Sequence, residues 1–405
     1  MPPNTHVPGE RLVLQIDALF NDDGRFDRDV TIVLDETGTI ASIARPEDSR
    51  EIDADRRVDL AVVTPGFVNA HVHLTDAGIE DPIPGGAGFI PWAKQLMQRR
   101  GELGPIEEEA VVAVVDRMEA VGTVAIGEVT NDARTFGMIP ASMAFRPIFE
   151  LLGMRDAADE STATIARFRD VLREYPTAVA AAHAPFSVHP RLMEKIVAEG
   201  DAEGLPVFIH LCEDREERRF YETGDGPWLE FLRALAVADG SFEAPGIPPV
   251  AFYDRLGQIN ARFRPVHLTD ANPDEIALLA DRRAVATLSP TSNLQITGRL
   301  PDVATMLATG LRFAFGTDGR GSNASLDVRS EAMLLLDRCP DLAPTTALHG
   351  LTYVGGTALG MPELTEIAVG GQPRLLAHDL PQIPSSDEGL ARLLIDSSAK
   401  IDRLL

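Results

Sequence analysis

The stretch VVTPGFVNAHVHL, residues 62–74, decides how the rest of this chain is interpreted. It begins as an apolar run and ends in two histidines one residue apart, His71 and His73. Side chains on a β-strand alternate between faces, so both imidazoles point to the same side of the strand. Because histidine is the commonest metal ligand, the pair is half of a metal site. A single His-x-His pair also occurs by chance on surface strands, so this interpretation requires further ligands elsewhere in the chain.

The composition is that of a soluble globular protein of 405 residues, with 44% hydrophobic and 24% charged residues. This length allows one large barrel with a small companion, or two to three ordinary domains. A formal charge of −25 argues against nucleic acid or an anionic membrane as a partner. The only cysteines, Cys212 and Cys339, cannot form a disulfide framework, and we find no secretion signal. We therefore expect a cytoplasmic protein.

From residue 62 onward, apolar strand-like runs alternate with helical stretches. The predicted strands are 62–73, 122–130, 144–153, 178–187, 205–213, 264–270, 284–293 and 312–319. Several of the intervening helices carry a proline near their first turn, which is a common start signal: 105–120, 190–203, 273–282 and 301–309. Eight buried strands alternating with helices predict a closed parallel (β/α)8 TIM barrel.

Both ends of the chain predict short strands outside this barrel. The first 62 residues contain strand-like runs at 11–18, 29–34 and 39–44, and the tail returns to short apolar segments over 366–380. Neither end has enough apolar residues to fold alone. We therefore predict a small composite β-sandwich domain from residues 1–62 and 363–405, beside a barrel of residues 63–362.

Polar residues stand where the predicted barrel strands end. Five of the nine histidines fall there, together with an aspartate and a Ser-Asn pair: His71, His73, His183, His210, His267, Ser292, Asn293 and Asp318. In a (β/α)8 barrel the carboxyl ends of the strands form the catalytic rim. Each histidine taken alone could be a core or capping residue. Taken together, they predict one site.

Counting donors narrows the identity of the cofactor. Three neutral histidines, His71, His73 and His210, with the carboxylate of Asp318, suit one divalent ion such as Zn²⁺ with a water completing the coordination. Ligand type alone leaves Fe²⁺ and Mn²⁺ open.

Five motifs carry a family resemblance: PGFVNAHVH at 65–73, HLCE at 210–213, HLT at 267–269, SPTSN at 289–293 and GTD at 316–318. In this order they resemble the amidohydrolase superfamily, in its purine and pyrimidine deaminase branch. The resemblance runs from the first strand of the barrel to the last. It implies a distorted barrel, a flanking β-domain made from both termini, and one catalytic metal.

The resemblance also implies roles for individual residues. His71, His73, His210 and Asp318 match the metal ligands, Glu213 matches the proton shuttle, and His267 matches a histidine that polarises the attacking water. A divalent metal lowers the pKa of its bound water to roughly 7, which provides hydroxide to attack an amino-bearing ring carbon. Protonated Glu213 would donate to the adjacent ring nitrogen, and Asp318 would pass a proton to the departing ammonia.

Two of these positions have simpler interpretations. Glu213 opens the charged run EDREE at 213–217, which is typical of a solvated helix start. Cys212 alternates away from His210 and is predicted to be packed rather than reactive.

The scarcity of lysine bears on the number of metals. Binuclear relatives use a carboxylated lysine at the end of strand four, but none of Lys94, Lys195 and Lys400 lies at a predicted strand end. This favours one metal, and deamination over opening of a ring amide. At that strand end stands His183, which resembles a substrate-facing histidine, with packing as the alternative.

The segment RFYETGDGP at 219–227 resembles most closely the deaminases that convert 6-amino-6-deoxyfutalosine to futalosine in an alternative menaquinone route. We predict that reaction first. The alternatives are deaminases of S-adenosylhomocysteine, methylthioadenosine, adenosine or guanine, and, in another class, a non-catalytic scaffold, which would have lost ligands. Leu288 and Ser289 depart from the usual residues before Pro290, which leaves the purine preference open.

The remaining predicted substrate contacts are less specific. Glu80 could accept hydrogen bonds from ribose hydroxyls, with a solvated loop acid as the alternative. Trp92 could stack on a base, with a role in anchoring its helix as the alternative. Ser292 and Asn293 join His183 as further predicted substrate contacts. The expected partner is a small nucleoside, with no nucleic acid and no membrane, and a homodimer stays open.

Overall fold

In the computed structural model, described over residues 6–44, 53–155, 157–237, 240–396 and 401–404, two sheets organise the chain. The larger has eight parallel strands in sequential order, which confirms the predicted barrel. They are β5 (Phe67–Val72), β6 (Thr123–Thr130), β7 (Ala144–Leu151), β8 (Val179–Ala182), β9 (Val207–Leu211), β10 (Phe263–His267), β11 (Val285–Leu288) and β12 (Arg312–Phe315).

The helices surround this sheet, and none of those described is long and apolar enough to span a bilayer. Their bounds are Phe89–Leu103, Glu108–Ala120, Ala158–Glu174, Pro190–Glu203, Arg215–Thr223, Pro227–Ala234, Pro249–Arg255, Pro273–Asp281, Pro290–Thr297, Val303–Thr309, Val328–Arg338, Pro344–Leu351, Tyr353–Leu359 and Asp387–Asp396.

The smaller sheet comes from both termini, as predicted. Its strands are β1 (Leu12–Phe20), β2 (Phe26–Leu34), β3 (Ile40–Ala44), β4 (Arg56–Pro65), β13 (Leu375–His378) and β14 (Ile401–Arg403), in the order β14-β13-β4-β1-β2-β3. The strand β13 pairs antiparallel with β4, which ties the C-terminal tail to the N-terminal strands. The predicted boundary at residue 62 falls inside β4.

The stretch 62–74 serves both sheets. Where the sequence suggests one strand, the structure has two, β4 and β5, separated at Gly66. A Cβ at Gly66 would lie 2.2 Å from a methyl group of Val124, so no larger side chain fits there without rearrangement. The Gly66 amide also donates to the carbonyl oxygen of Arg374 at 2.7 Å, and the chain then enters the barrel.

The two edge strands of the barrel sheet, β5 and β12, meet through backbone hydrogen bonds. The amides of Thr317 and Asp318 both donate to the carbonyl oxygen of His71 at 3.0 Å. The approach requires Gly316, because a Cβ there would lie 2.6 Å from that of His71. This closure sets Asp318 beside the first predicted ligand.

Several predicted elements are shorter than expected. The runs 178–187 and 284–293 contain strands of only four residues each, β8 and β11. After β11 the chain turns into the helix Pro290–Thr297, so Ser292 and Asn293 lie on a helix rather than at the end of a strand.

A buried histidine between β4 and β13 makes stability depend on pH. The Nε2 atom of His378 is 2.9 Å from the Thr64 hydroxyl, and burial lowers the pKa of His378 to about 3. An unfolded histidine titrates near 6.5, so between those values the unfolded state binds the extra proton, and stability is lost as pH falls.

We expect this histidine to cost roughly 2 kcal/mol of unfolding free energy between pH 7.5 and pH 5. Urea unfolding of the wild type and of His378→Gln at both pH values measures it. Glutamine keeps a polar partner for Thr64 but does not titrate, so the variant should lose less stability on acidification. Equal losses in both proteins would show that His378 is not responsible.

Candidate active site

Four predicted ligands from three distant parts of the chain meet at the carboxyl end of the barrel. The Nε2 atoms of His71 and His210 are 3.2 Å apart. The Oδ1 atom of Asp318 lies 3.7 Å from Nε2 of His71 and 3.5 Å from Nε2 of His73. One donor atom from each of His71, His73 and Asp318 falls within 4.8 Å of the others, which is close enough to share one ion.

Hydrogen bonds on the far side of two imidazoles determine which nitrogen faces the cluster. His73 Nδ1 is 2.8 Å from the carbonyl oxygen of Val129, and His210 Nδ1 is 2.8 Å from that of His183. A carbonyl oxygen only accepts, so both Nδ1 atoms carry hydrogen and both Nε2 atoms present lone pairs. Lone pairs beside a carboxylate are the donor set of a divalent metal such as Zn²⁺.

Asp318 is held in place by two hydroxyls. Its Oδ2 accepts from Ser292 Oγ at 2.5 Å and from Ser322 Oγ at 3.2 Å, which leaves Oδ1 to face the histidines. Burial raises the pKa of Asp318, but the His71 imidazole and its neighbours outweigh this and hold the pKa well below its usual range. Asp318 also has a φ of +59°, in a region that residues other than glycine seldom occupy. It is therefore an ionised, rigidly oriented carboxylate.

Glu213 and His267 lie beside this cluster with opposite proton affinities. Glu213 Oε1 is 3.6 Å from His267 Nε2. Burial raises the pKa of Glu213 well above its usual value, and the charge of Asp318 adds to that effect. Burial lowers the pKa of His267 to about 4. Burial therefore favours the protonated form of Glu213, and His267 is neutral at neutral pH.

The charged run that Glu213 opens does begin a helix, Arg215–Thr223 with Asp214 at its N-cap, and Arg215 is exposed, but the expectation of a solvated position is wrong for Glu213. Glu213 is 5% exposed and Glu217 is fully buried, with its Oε1 accepting from the Cys212 amide at 2.7 Å. Cys212 is itself buried, as predicted, and burial raises the pKa of its thiol well above the usual value.

Ser292 and Asn293 do not face the substrate side of the site. Both are at most 1% exposed, and neither lines the cavity described below. Asn293 Oδ1 accepts from His267 Nδ1 at 2.9 Å, just as Ser292 donates to Asp318. The first turn of their helix thus directs Ser292 Oγ and Asn293 Oδ1 to site neighbours, and a contact of either residue with substrate stays a prediction.

A cavity of about 640 Å³ opens over the cluster, which is large enough for a drug-sized ligand. Its lining includes polar site residues: His73, His183, His210, Glu213, His267 and Asp318. It also includes five aromatic residues: Phe89, Trp92, Phe186, Trp228 and Phe231. The rings of Phe186 and Trp228 stack with centroids 3.5 Å apart. The cavity can therefore take a molecule with one polar end and one apolar end.

Of the two predicted substrate contacts Trp92 and Glu80, only Trp92 lines the cavity. Trp92 lines the cavity, where a ligand can reach it. Glu80 is exposed and is not among the lining residues, so the structure does not support ribose binding by its side chain. Of the lysines, Lys94 and Lys195 lie on helices and line no part of the cavity, and Lys400 is outside the described residues.

Among the polar cavity residues that sequence reasoning missed are Arg100, Asp76 and Glu150. Arg100 and Asp76 form an ion pair, with Nε and Oδ1 2.6 Å apart. Glu150 is the penultimate residue of β7, buried beside His183 and His210. The signal for Glu150 was present, since a lone acid near the end of an apolar strand resembles the histidines at the ends of other strands.

The chain is similar in sequence and in fold to known proteins. The sequence model of the Amidohydrolase family matches residues 62–401. Aminodeoxyfutalosine deaminase of Deinococcus radiodurans is 28% identical over 339 residues, covering 80% of this chain and 79% of that protein. A 5-methylthioadenosine/S-adenosylhomocysteine deaminase of Nitratidesulfovibrio vulgaris is 28% identical over 372 residues, covering 85% and 78%. Helicobacter pylori aminofutalosine deaminase, solved with methylthio-coformycin, has the same fold, with a TM-score of 0.85 at 19% identity over 97% and 100% of the two chains.

Proposed function

The chain belongs to the amidohydrolase family, and from that membership we propose that it is a metal-dependent deaminase of 6-aminopurine nucleosides. The observation that carries the proposal is the meeting of His71, His73, His210 and Asp318 beside a protonated Glu213. Water adds at the amino-bearing ring carbon, and ammonia leaves. Relatives that match four fifths of the chain bear the names of nucleoside deaminases, which supports this class of hydrolase.

The four residues would hold one divalent metal, with Zn²⁺ as first choice and Fe²⁺ or Mn²⁺ as alternatives. When bound, the metal supplies a water whose pKa is lowered towards neutrality. His73 and His210 keep their lone pairs towards the ion, because Val129 and His183 accept their other ring protons. The serine hydroxyls on Asp318 Oδ2 keep the other oxygen in place.

The surrounding residues move the protons. Glu213, protonated at neutral pH, donates to the ring nitrogen next to the reacting carbon and so neutralises the charge that develops as the ring loses aromaticity. Neutral His267, held through Nδ1 by Asn293, presents Nε2 to the reacting water. Ionised Asp318 would accept a proton from the attacking water and return it to the departing amine, and the remaining hydroxyl proton would return to Glu213 as the carbonyl forms. Both acids and the imidazole are buried, which strengthens each interaction.

The exposed apolar lining of the cavity bears on which nucleoside is used. Met97, Leu152 and Leu235 line the cavity and are each at least 40% exposed. An apolar or aromatic group on the 5′ carbon gains about 25 cal/mol per Å² of such apolar surface that it buries, and adenosine carries no such group. We therefore propose 6-amino-6-deoxyfutalosine as substrate, on a menaquinone route, ahead of methylthioadenosine, S-adenosylhomocysteine, adenosine and guanine. A non-catalytic scaffold would have no reason to retain the whole donor set.

An ammonia-release assay over these five substrates, on protein of measured metal content, tests the proposal. We expect kcat/KM for aminodeoxyfutalosine to exceed that for adenosine by at least about tenfold, because of the additional apolar contact. A metal-loaded protein that releases no ammonia from any 6-aminopurine nucleoside would refute the proposed function. Faster turnover of S-adenosylhomocysteine would instead reverse the order of substrates.

A further inference from the structure

The wall of the cavity contains a carboxylate that the proposed chemistry does not use. The side chain of Glu150 is only 9% exposed, and the residue lines the cavity beside His183 and His210. Its Oε1 atom is buried and accepts no hydrogen bond from the described residues. Leaving a buried acceptor unpaired costs free energy. A residue of this kind in the lining of a cavity is matched to a donor that arrives with a ligand.

The neighbouring histidines do not supply that donor. His210 Nδ1 is 3.6 Å from Glu150 Oε1, but its hydrogen is directed to the carbonyl oxygen of His183 at 2.8 Å. His183 Nδ1 is 2.5 Å from the Ser187 hydroxyl, so that nitrogen is also engaged. The Oε1 atom of Glu150 therefore has no hydrogen-bond donor among the described residues.

A second cation is the first alternative to consider, since Glu150, His183 and His210 each offer a donor atom within 4.8 Å of the others. His210 cannot serve both sites, however. Its Nε2 already faces His71 in the four-residue cluster, and its Nδ1 carries the hydrogen donated to His183. A neutral imidazole has one lone pair, so nothing remains for a second ion. The partner of Glu150 is therefore a hydrogen-bond donor on an organic ligand and not a metal ion.

The chemistry of a nucleoside indicates which of its groups can supply that donor. The purine must lie with its reacting carbon at the His71–Asp318 cluster, and Glu150 adjoins His183 and His210 in the lining of the same cavity. Apart from the reacting amine, the hydrogen-bond donors of a 6-aminopurine nucleoside are its sugar hydroxyls.

We propose that Glu150 accepts hydrogen bonds from the sugar hydroxyls and thereby selects ribonucleosides over deoxynucleosides and free bases. This inference rests on the proposed deaminase function and deepens it. It replaces Glu80, the residue that the sequence suggests for this contact, because Glu80 is exposed and outside the cavity. Glu150 is thus a specificity-determining residue with no part in the chemical step.

The test compares Glu150→Ala, Glu150→Gln and Glu80→Gln with the wild type on adenosine, 2′-deoxyadenosine and 3′-deoxyadenosine. Each compound is measured as a substrate or, where it is not turned over, as a competitive inhibitor of the best substrate. We expect Glu150→Ala to weaken adenosine roughly 10- to 100-fold, through KM or Ki, and to leave at least one deoxy analogue nearly unchanged. Glu150→Gln, which keeps one acceptor oxygen, should give an intermediate loss.

Several outcomes would overturn the inference. One is an equal loss on all three compounds, which indicates a structural role. Another is unchanged discrimination in Glu150→Ala, and a third is loss of discrimination in Glu80→Gln alone. Metal analysis adds a fourth, since a drop from two ions per chain to one in Glu150→Ala would identify a cation site. If the wild type deaminates no nucleoside at all, the proposed function fails instead, and the two failures are thereby distinguished.

Discussion

Replacement of Glu213 by glutamine should leave the metal in place and lower kcat by about 10²- to 10⁴-fold. Glutamine has nearly the same shape and can still form hydrogen bonds in the buried pocket. It has no acidic proton to give to the ring nitrogen, whereas burial keeps Glu213 protonated at neutral pH. The change therefore removes proton donation and leaves the His71–Asp318 cluster untouched.

The measurement is steady-state ammonia release together with metal content per chain. Glu222→Gln is the matched control, because it makes the same chemical change at an exposed position of the helix Arg215–Thr223. We expect that control to keep wild-type activity. Turnover retained by Glu213→Gln would show that this residue is not the proton donor.

Replacement of Asp318 by alanine should impair both metal retention and rate. The substitution removes the Oδ1 atom of Asp318, which lies 3.7 Å from His71 Nε2 and 3.5 Å from His73 Nε2. It also removes the proposed proton acceptor of the reaction. We expect kcat to fall by at least about 10³-fold, because ligand loss and loss of proton transfer combine. Added Zn²⁺ should restore occupancy more readily than rate.

Ser292→Ala provides the graded comparison. It deletes only the hydroxyl that donates to Asp318 Oδ2, and Ser322 still donates to the same oxygen. The loss in metal affinity or activity should be about 10- to 100-fold or less, the usual size for a partner of a metal ligand. Both proteins are analysed for bound metal after dialysis and for ammonia release with and without added metal. A fully active Asp318→Ala variant would remove this residue from the site.

Whether a predicted site residue reaches the site depends on the secondary structure that orients its side chain. The strand-end residues His71, His210 and Asp318 meet because parallel strands of one barrel end at the same face, whatever the loops between them do. The sequence likewise predicts Ser292 and Asn293 at the carboxyl end of a barrel strand. They lie on a helix, however, where the direction of a side chain depends on the rotation of the helix about its axis.

Glu213 is a residue whose role the local sequence does not reveal. In the printed sequence it is one of four acids in a run of five residues, and nothing local separates it from Glu216 or Glu217. Its burial, and the raised pKa that results, come from residues far away in the chain, such as His267 and Asp318. Only the spacing from His210 marked it beforehand.

The sequence by itself determined the barrel, the terminal sheet and the ordered set of candidate metal donors, because alternation of strand and helix and the positions of strand ends are local properties of the chain. The tertiary structure alone decided which polar residues line the cavity. Glu150 became a candidate, Glu80 ceased to be one, and Ser292 and Asn293 became partners of Asp318 and His267. Those assignments depend on packing between segments distant in the sequence, which decides whether a polar side chain meets the cavity or another residue.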